Sequence, residues 1–224
     1  MNKHLFIIEG IDGSGKTTQV TALQKRLVDC GKDAVHIKLP NYDDDSSALV
    51  KMYLGGQFGS APGDVSAYAA SSFFAVDRYA SYKKYWGKDY EQGRIIISDR
   101  YVTSNILHQS SKLPEAEFGD FCRWLYDFEY VKLGLPVPTA VFFLDVSPEI
   151  SVGQMEKRYH GDESKKDIHE KDMEYLKKCY LAGVKACDAV PGFVRIECVR
   201  DGKMKTKEEI SDIIFGNMEK YIDK

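Results

Sequence analysis

The stretch Gly10-Ile11-Asp12-Gly13-Ser14-Gly15-Lys16-Thr17 constrains this chain more than any other part of it. It reads G-x-x-x-x-G-K-[ST], with Thr18 directly behind, and that pattern demands a strand in front and a helix after it. Both are present. Leu5-Phe6-Ile7-Ile8-Glu9 is a short apolar run suited to a buried strand. Residues 17–30 carry Val20, Leu23, Leu27 and Val28 at helical spacing and stop at Gly31. Glycines in such a loop let successive backbone N–H groups approach an anion with no Cβ in the way. The following helix adds unpaired donors and the positive end of its dipole. Lys16 supplies a mobile cation for β- and γ-phosphates, and the Thr17 hydroxyl can ligate a divalent metal. The stretch therefore predicts a nucleotide-phosphate site built from Gly10, Asp12, Gly13, Ser14, Gly15, Lys16, Thr17 and Thr18.

The rest of the chain alternates in the same way. Apolar runs at 34–38, 94–99, 140–145 and 193–198 read as strands, separated by helical stretches at 48–54, 64–85, 115–132, 149–158, 171–189 and 207–221. In the long helix Asp64 is the expected cap, and Val65, Ala69, Phe73, Val76 and Ala80 the expected apolar stripe. Strands alternating with helices imply a parallel sheet covered on both faces, with ligands at the carboxyl ends of the strands. Those ends are Glu9, Lys38, Asp99 and Asp145. Asp99 and Asp145 compete as the metal-holding acid of a second phosphate-site strand, and Arg100 beside Asp99 adds a fork that can pair two phosphoryl oxygens. Phe74 and Arg78, four apart, share a helix face: an aromatic plane to stack on a base and a donor to read its carbonyl.

Acidic and basic residues nearly balance, 34 against 31, so there is no electrostatic footprint for nucleic acid. Five scattered cysteines with no C-x-x-C pair read as reduced thiols of a cytoplasmic protein. No apolar run is long enough for a membrane span or signal peptide, so neither is expected. At 224 residues, one domain covering 1–224 with a small lid is the natural reading. The lid falls on the charged segment about 156–171.

Taken together, the segments resemble the thymidylate kinases over nearly the whole chain. The resemblance is carried by Glu9 to Gln19, by Phe74-Ala75-Val76-Asp77-Arg78, by Asp99-Arg100-Tyr101 with Ser104, and by Gly134-Leu135-Pro136-x-Pro138 ahead of Leu144-Asp145-Val146. It implies an α/β P-loop three-layer fold, a five-stranded parallel sheet with helices on both faces. It further implies ATP-dependent, magnesium-assisted transfer of a phosphoryl group to dTMP, in a cytoplasmic homodimer. By the same resemblance Phe74 stacks on thymine, Arg78 binds its O4, Ser104 touches the base edge and Asp12 accepts the sugar 3′-hydroxyl. Arg100 bridges the two phosphates, and Glu9, Thr17 and Asp99 lie at the magnesium and its waters.

Four positions depart from the family pattern. Lys38 stands where an arginine grips the monophosphate. Gly13 stands where some members carry a catalytic arginine. The lid signature reads Asp167-Ile168-His169-Glu170, with Ile in the arginine position, so Arg158, ahead of Lys165 or Lys166, is the expected lid cation. His108 stands where an aromatic ring underlies the deoxyribose. Rival readings are a kinase for another deoxynucleoside or nucleoside monophosphate and a catalytically silent nucleotide-binding protein. A guanine-specific switch protein would need Asn-Lys-x-Asp, which the chain lacks.

Overall fold

The computed structural model describes residues 2–159, 167–170 and 172–222, the side chains of 157–159 excepted. Five parallel strands form one sheet: β1 (Leu5–Glu9), β2 (Ala34–Lys38), β3 (Ile95–Asp99), β4 (Ala140–Asp145) and β5 (Phe193–Glu197), in the order β2-β3-β1-β4-β5. Leu5 sits opposite Ile96 on one side, and Phe6 opposite Ala140 on the other.

Strand residues alternate between faces, and the continuous apolar runs supply two cores from one sheet. Leu5, Ile7, Ile96, Val141 and Phe143 face one layer. That layer is built from α5 (Thr103–His108), α6 (Phe118–Tyr126) and α8 (Met173–Ala189), which contribute Ile106, Leu107, Phe121, Leu125 and Ala186. Phe6, Ile8, Ile97, Phe142 and Leu144 face the other, where α1 (Lys16–Asp29) and α9 (Lys207–Ile222) bring Val20, Leu23, Leu27, Ile214 and Met218. The expected three-layer arrangement is the observed one. A methyl group on Gly183 of α8 would lie 2.3 Å from the Phe143 ring, so this helix rests on the sheet at the closest approach a backbone allows.

The long helix after residue 64 differs from expectation. α3 spans Ala67–Ser81 and is capped by Ser66, whose Oγ accepts from Ala69 N at 3.2 Å. Asp64 instead accepts from Ala61 N, at 2.9 Å. A π-helical turn (Tyr82–Trp86) and the short α4 (Gly87–Glu91) follow. The predicted stripe is not the inner face: Val76 is 53% exposed, whereas Ala67, Ala70, Ala75, Asp77 and Arg78 are buried. Apolar spacing misleads here because two charged residues go inside, where each has partners.

The elements not predicted include α4, α5 just after Arg100, and a two-stranded hairpin of β6 (Val199–Arg200) and β7 (Lys203–Met204). α2 (Ala48–Leu54) and α7 (Pro148–Tyr159) complete the described α-helices. Half of the proposed lid, and with it Lys165, Lys166 and the side chain of Arg158, lies outside the described residues.

Candidate active site

The glycine loop between β1 and α1 closes on its own lysine. Lys16 Nζ donates to the carbonyls of Gly10 (3.0 Å) and Ile11 (2.9 Å) and lies 3.8 Å from the Asp12 carboxylate. Burial, reinforced by the nearby Arg100 cation, pushes the Lys16 ammonium down to about 8 despite Asp12, Asp99 and Glu9. Gly13, at φ +82°, has no room for a side chain: a Cβ would stand 2.3 Å from the carbonyl oxygen of Ser151 on α7. Ser151 Oγ also donates to the Asp12 carbonyl. The loop position after Asp12 is therefore sterically closed to any side chain.

The depressed ammonium has a measurable consequence. Lys16 loses its charge as pH rises through about 8, against an ordinary value of 10.5. A triphosphate favours the charged form, so ATP affinity is full below that pH and weaker above it. We expect roughly tenfold weaker ATP binding at pH 9 than at pH 7, with a proton taken up on binding. Calorimetry in buffers of different ionisation enthalpy reads both. For the nucleotide-free fold the sign reverses: burying the charged amine is unfavourable below pH 8, and that penalty lifts between 8 and 10.5.

At the end of β3, Thr17 Oγ1 donates to Asp99 Oδ2, which brings the two together. A hydroxyl and a carboxylate are hard oxygen donors, and magnesium takes few of these from protein while keeping water and phosphate oxygens. Among the described residues no group of three or more His, Cys, Asp or Glu side chains could hold a metal ion. Asp145, the rival acid, is engaged elsewhere: Arg195 Nε (2.9 Å) and Tyr180 Oη (2.8 Å) donate to it. Glu9 also departs from expectation. It is fully buried, does not line the cavity, and accepts from Tyr101 N, Thr103 Oγ1 and Ser104 Oγ at 3.2, 2.7 and 2.8 Å. Burial pushes its carboxyl upward. It braces the start of α5 beneath the site.

Arg100 occupies a left-handed backbone position, φ 70°. Its guanidinium pairs with Asp12 and donates from Nη1 to His108 Nε2 at 2.9 Å. Burial alone would raise Asp12, but Arg100 and Lys16 hold it well below the usual carboxylate range.

Beyond Arg100 a continuous cavity of about 820 Å³ is lined by the loop, Lys38, Phe74, Arg78, Ser104 and His108, among others. Arg78 is fixed by a buried pair with Glu129, Nε to Oε2 at 2.7 Å and Nη2 to Oε1 at 2.5 Å. Its remaining Nη1 donates to Tyr101 O at 3.3 Å. Asn105 Nδ2 reaches Glu129 as well, at 3.4 Å, and it lines the cavity. Ser104 is at the cavity wall, but its hydroxyl proton is directed to Glu9. Lys38 is exposed at the end of β2. Met204, Lys205 and Lys207, from the hairpin and the start of α9, line the side of the cavity beside Thr18 and Gln19.

Sequence reasoning assigned no role to Glu129, Asn105 or Asp77. Asp77 accepts from Asn41 N (3.0 Å) and Ser46 Oγ (2.8 Å), and so ties the loop after β2 to α3. The only signal available was the departure of Asp77 and Arg78 from the apolar pattern.

Residues 8–190 match the thymidylate kinase family. The chain belongs to the thymidylate kinase family. A thymidylate kinase of Mycobacterium tuberculosis is 31% identical over 174 residues, 76% of this chain and 79% of that protein. A probable thymidylate kinase of Methanosarcina barkeri is 29% identical over 215 residues, 96% and 97% of the two chains. One of Pyrobaculum aerophilum is 29% identical over 151 residues, 67% of this chain and 69% of its own. In this member of a family of phosphotransferases the loop, the Asp99-Arg100-Tyr101 turn and the Phe74/Arg78 face stand around one cavity. No helix among the described residues is long and apolar enough to cross a membrane.

Proposed function

We propose that the protein transfers the γ-phosphoryl group of ATP to the 5′-phosphate of dTMP, giving dTDP and ADP. The observation that carries this reading is the sharing of one cavity by the Lys16 loop at one end and the Phe74/Arg78 face at the other. Family membership supports the same acceptor. Phe74 stacks on the pyrimidine, and Arg78, its fork held by Glu129, offers its outer nitrogen to the base carbonyl. Ser104 borders the base edge and Asp12 accepts the sugar hydroxyl. Lys38, a point charge at the end of β2, meets the monophosphate.

The acceptor oxygen is already anionic, so no strong base is needed, and catalysis is alignment with charge neutralisation. The acceptor oxygen bonds to Pγ as the bond from Pγ to the β,γ-bridging oxygen breaks, leaving ADP. Lys16 and Arg100 hold the travelling group, each released from Asp12 as the phosphates arrive. Thr17 and Asp99 would hold magnesium, which when bound neutralises charge on the β- and γ-oxygens. Arg158 is the proposed lid cation, its loop counterpart being closed off at Gly13. The hairpin side, with Met204 and Lys205, is the proposed adenine end.

Two broader readings accompany this one. The five free cysteines suit a reducing, cytoplasmic setting. The exposed outer face of α3, with Val76 and Tyr79, is the proposed homodimer surface.

Release of ADP over a panel of nucleosides and nucleoside monophosphates tests the assignment, with dTMP expected as the preferred acceptor. Phe74→Ala is expected to raise the dTMP KM about 5- to 150-fold, the loss of one stacked base at about 1–3 kcal/mol. A KM no higher than that of a surface variant would overturn the stacking role.

A further inference from the structure

The segment that follows β2 lines the cavity with Lys38, Leu39, Pro40 and Tyr42. The sheet holds its beginning: Lys38 lies opposite Asp99 of β3, and Leu39 N donates to Asp99 O at 3.1 Å. From Pro40 onward the chain leaves the sheet, and two aspartates take over. Asp77, on α3, accepts from Asn41 N and Ser46 Oγ. Asp44, within the segment, reaches the other way. Its Oδ1 accepts from Ser46 N at 2.9 Å and caps the turn Asp45–Ser47. Its Oδ2 accepts from Lys84 Nζ and Tyr85 Oη.

Those two donors come from the π-helical turn Tyr82–Trp86. Consecutive residues of a regular α-helix point about 100° apart. Here Lys84 and Tyr85 end on one oxygen, at a turn wider than an α-helical one. Gly87 closes the turn. Its N–H donates to Tyr82 O, and a Cβ there would stand 2.6 Å from that same oxygen. The Lys84 and Tyr85 donors hold the Asp44 carboxyl well below the usual carboxylate range. Asp44 is buried, whereas both donors are exposed, and none of the three lines the cavity.

Both aspartates therefore join the same two parts of the molecule. One is the wall segment, and the other is the helix of Phe74 and Arg78 with its π-helical extension. Asp77 precedes Arg78, so its contacts and the base end are not separable. The Asp44 contacts are, because Lys84 and Tyr85 lie beyond that end. Resting on the reading that a nucleoside monophosphate spans from Phe74 to Lys38, we propose that Asp44, clasped by Lys84 and Tyr85, is a positioning residue for the acceptor phosphate. The clasp sets where the wall Pro40–Tyr42 stands relative to the base-stacking helix before the ligand arrives. The segment still opens for entry and release, but the clasp keeps the open fraction small. Without it, apparent affinity falls in proportion to the time the wall spends in place.

The probes are dTMP and thymidine, which share base and sugar and differ by the phosphate. Lys84→Met combined with Tyr85→Phe removes both donors at nearly constant side-chain length. The dTMP Kd, read by calorimetry, is expected to rise about tenfold, with the thymidine Kd within about twofold of wild type. In turnover the dTMP KM should rise while kcat and the ATP KM stay within about twofold, the pattern of lost ground-state binding. Lys84→Arg with Tyr85→Phe, which restores a charged donor, should recover part of the loss. Hydrogen exchange of ligand-free protein gives a second reading. The amides of Asn41, Asp44 and Ser46 should exchange about tenfold faster in the donor-less variant, with α1 unchanged. Tyr85→Phe alone, with a smaller loss, serves should the double variant not fold. The proposal is overturned if dTMP and thymidine weaken together, which would place the effect at the base end. Unmoved dTMP affinity overturns it too, whatever the exchange rates. Wild-type protein that binds neither ligand would count against the proposed function instead, and the exchange rates would then decide the clasp.

Discussion

Lys16→Ala is expected to lower kcat for phosphoryl transfer by at least 10²- to 10³-fold, the usual loss when one preorganised cation is removed from a charge-developing site. The fold should survive. The lysine donates to two loop carbonyls, Gly10 and Ile11, that would then face the open cavity, and Asp12 retains Arg100 as its partner. Thermal denaturation within a few degrees of wild type, with turnover collapsed, is the combined signature. Arg100→Ala should fall as far, since its fork reaches the cavity from the other side and is held there by a left-handed backbone. Near-normal turnover in either variant would contradict the roles given to them.

Glu129→Ala should have the largest effect on stability. Glu129 is fully enclosed, and Arg78, 3% exposed, uses two of its three nitrogens on it. Removing the carboxylate strands a guanidinium in the interior, which costs about 3–5 kcal/mol. For a domain of this size that corresponds to a fall in Tm of roughly 6–20 °C. The acceptor KM should rise with it, because Arg78 would turn toward solvent and Asn105 would lose a partner. Glu129→Gln, which keeps the shape and one acceptor, should lose less. A Glu129→Ala protein with unchanged melting and unchanged acceptor KM would show that the pair neither stabilises the fold nor positions the base end of the cavity.

The strands were legible because a doubly covered parallel sheet writes itself as continuous apolar runs, and 34–38 and 140–145 fall where the hydropathy put them. The phosphate loop was legible because its chemistry fixes residue types at fixed spacing. What failed did so for one physical reason: partners distant in sequence. Arg78 is inside because of Glu129, 51 positions later, and no local pattern announces that. The exposure of Val76 is the same fact seen from the other side of α3. Glu9 reads like a metal-side acid at a strand end, yet it belongs to Tyr101, Thr103 and Ser104 across the sheet. Gly13 reads as an ordinary loop glycine until Ser151 is found against it. His169 was visible only as a member of the lid signature, since its ring partners Tyr53 and His108 come from two other segments.

Glu9 has a mechanical implication. One carboxylate ties the last residue of the central strand to the first turn of the helix behind Arg100, so the floor under both reacting phosphates is a single stiff plate. A reaction that must align two anions within an ångström gains from a floor that does not flex. Encounter and release then fall to the walls: the segment Asp77 tethers after the second strand, and the short turn that carries His169. Motion in this kinase should be sought at its rim, while the spacing between Lys16 and Arg100 stays constant through the cycle.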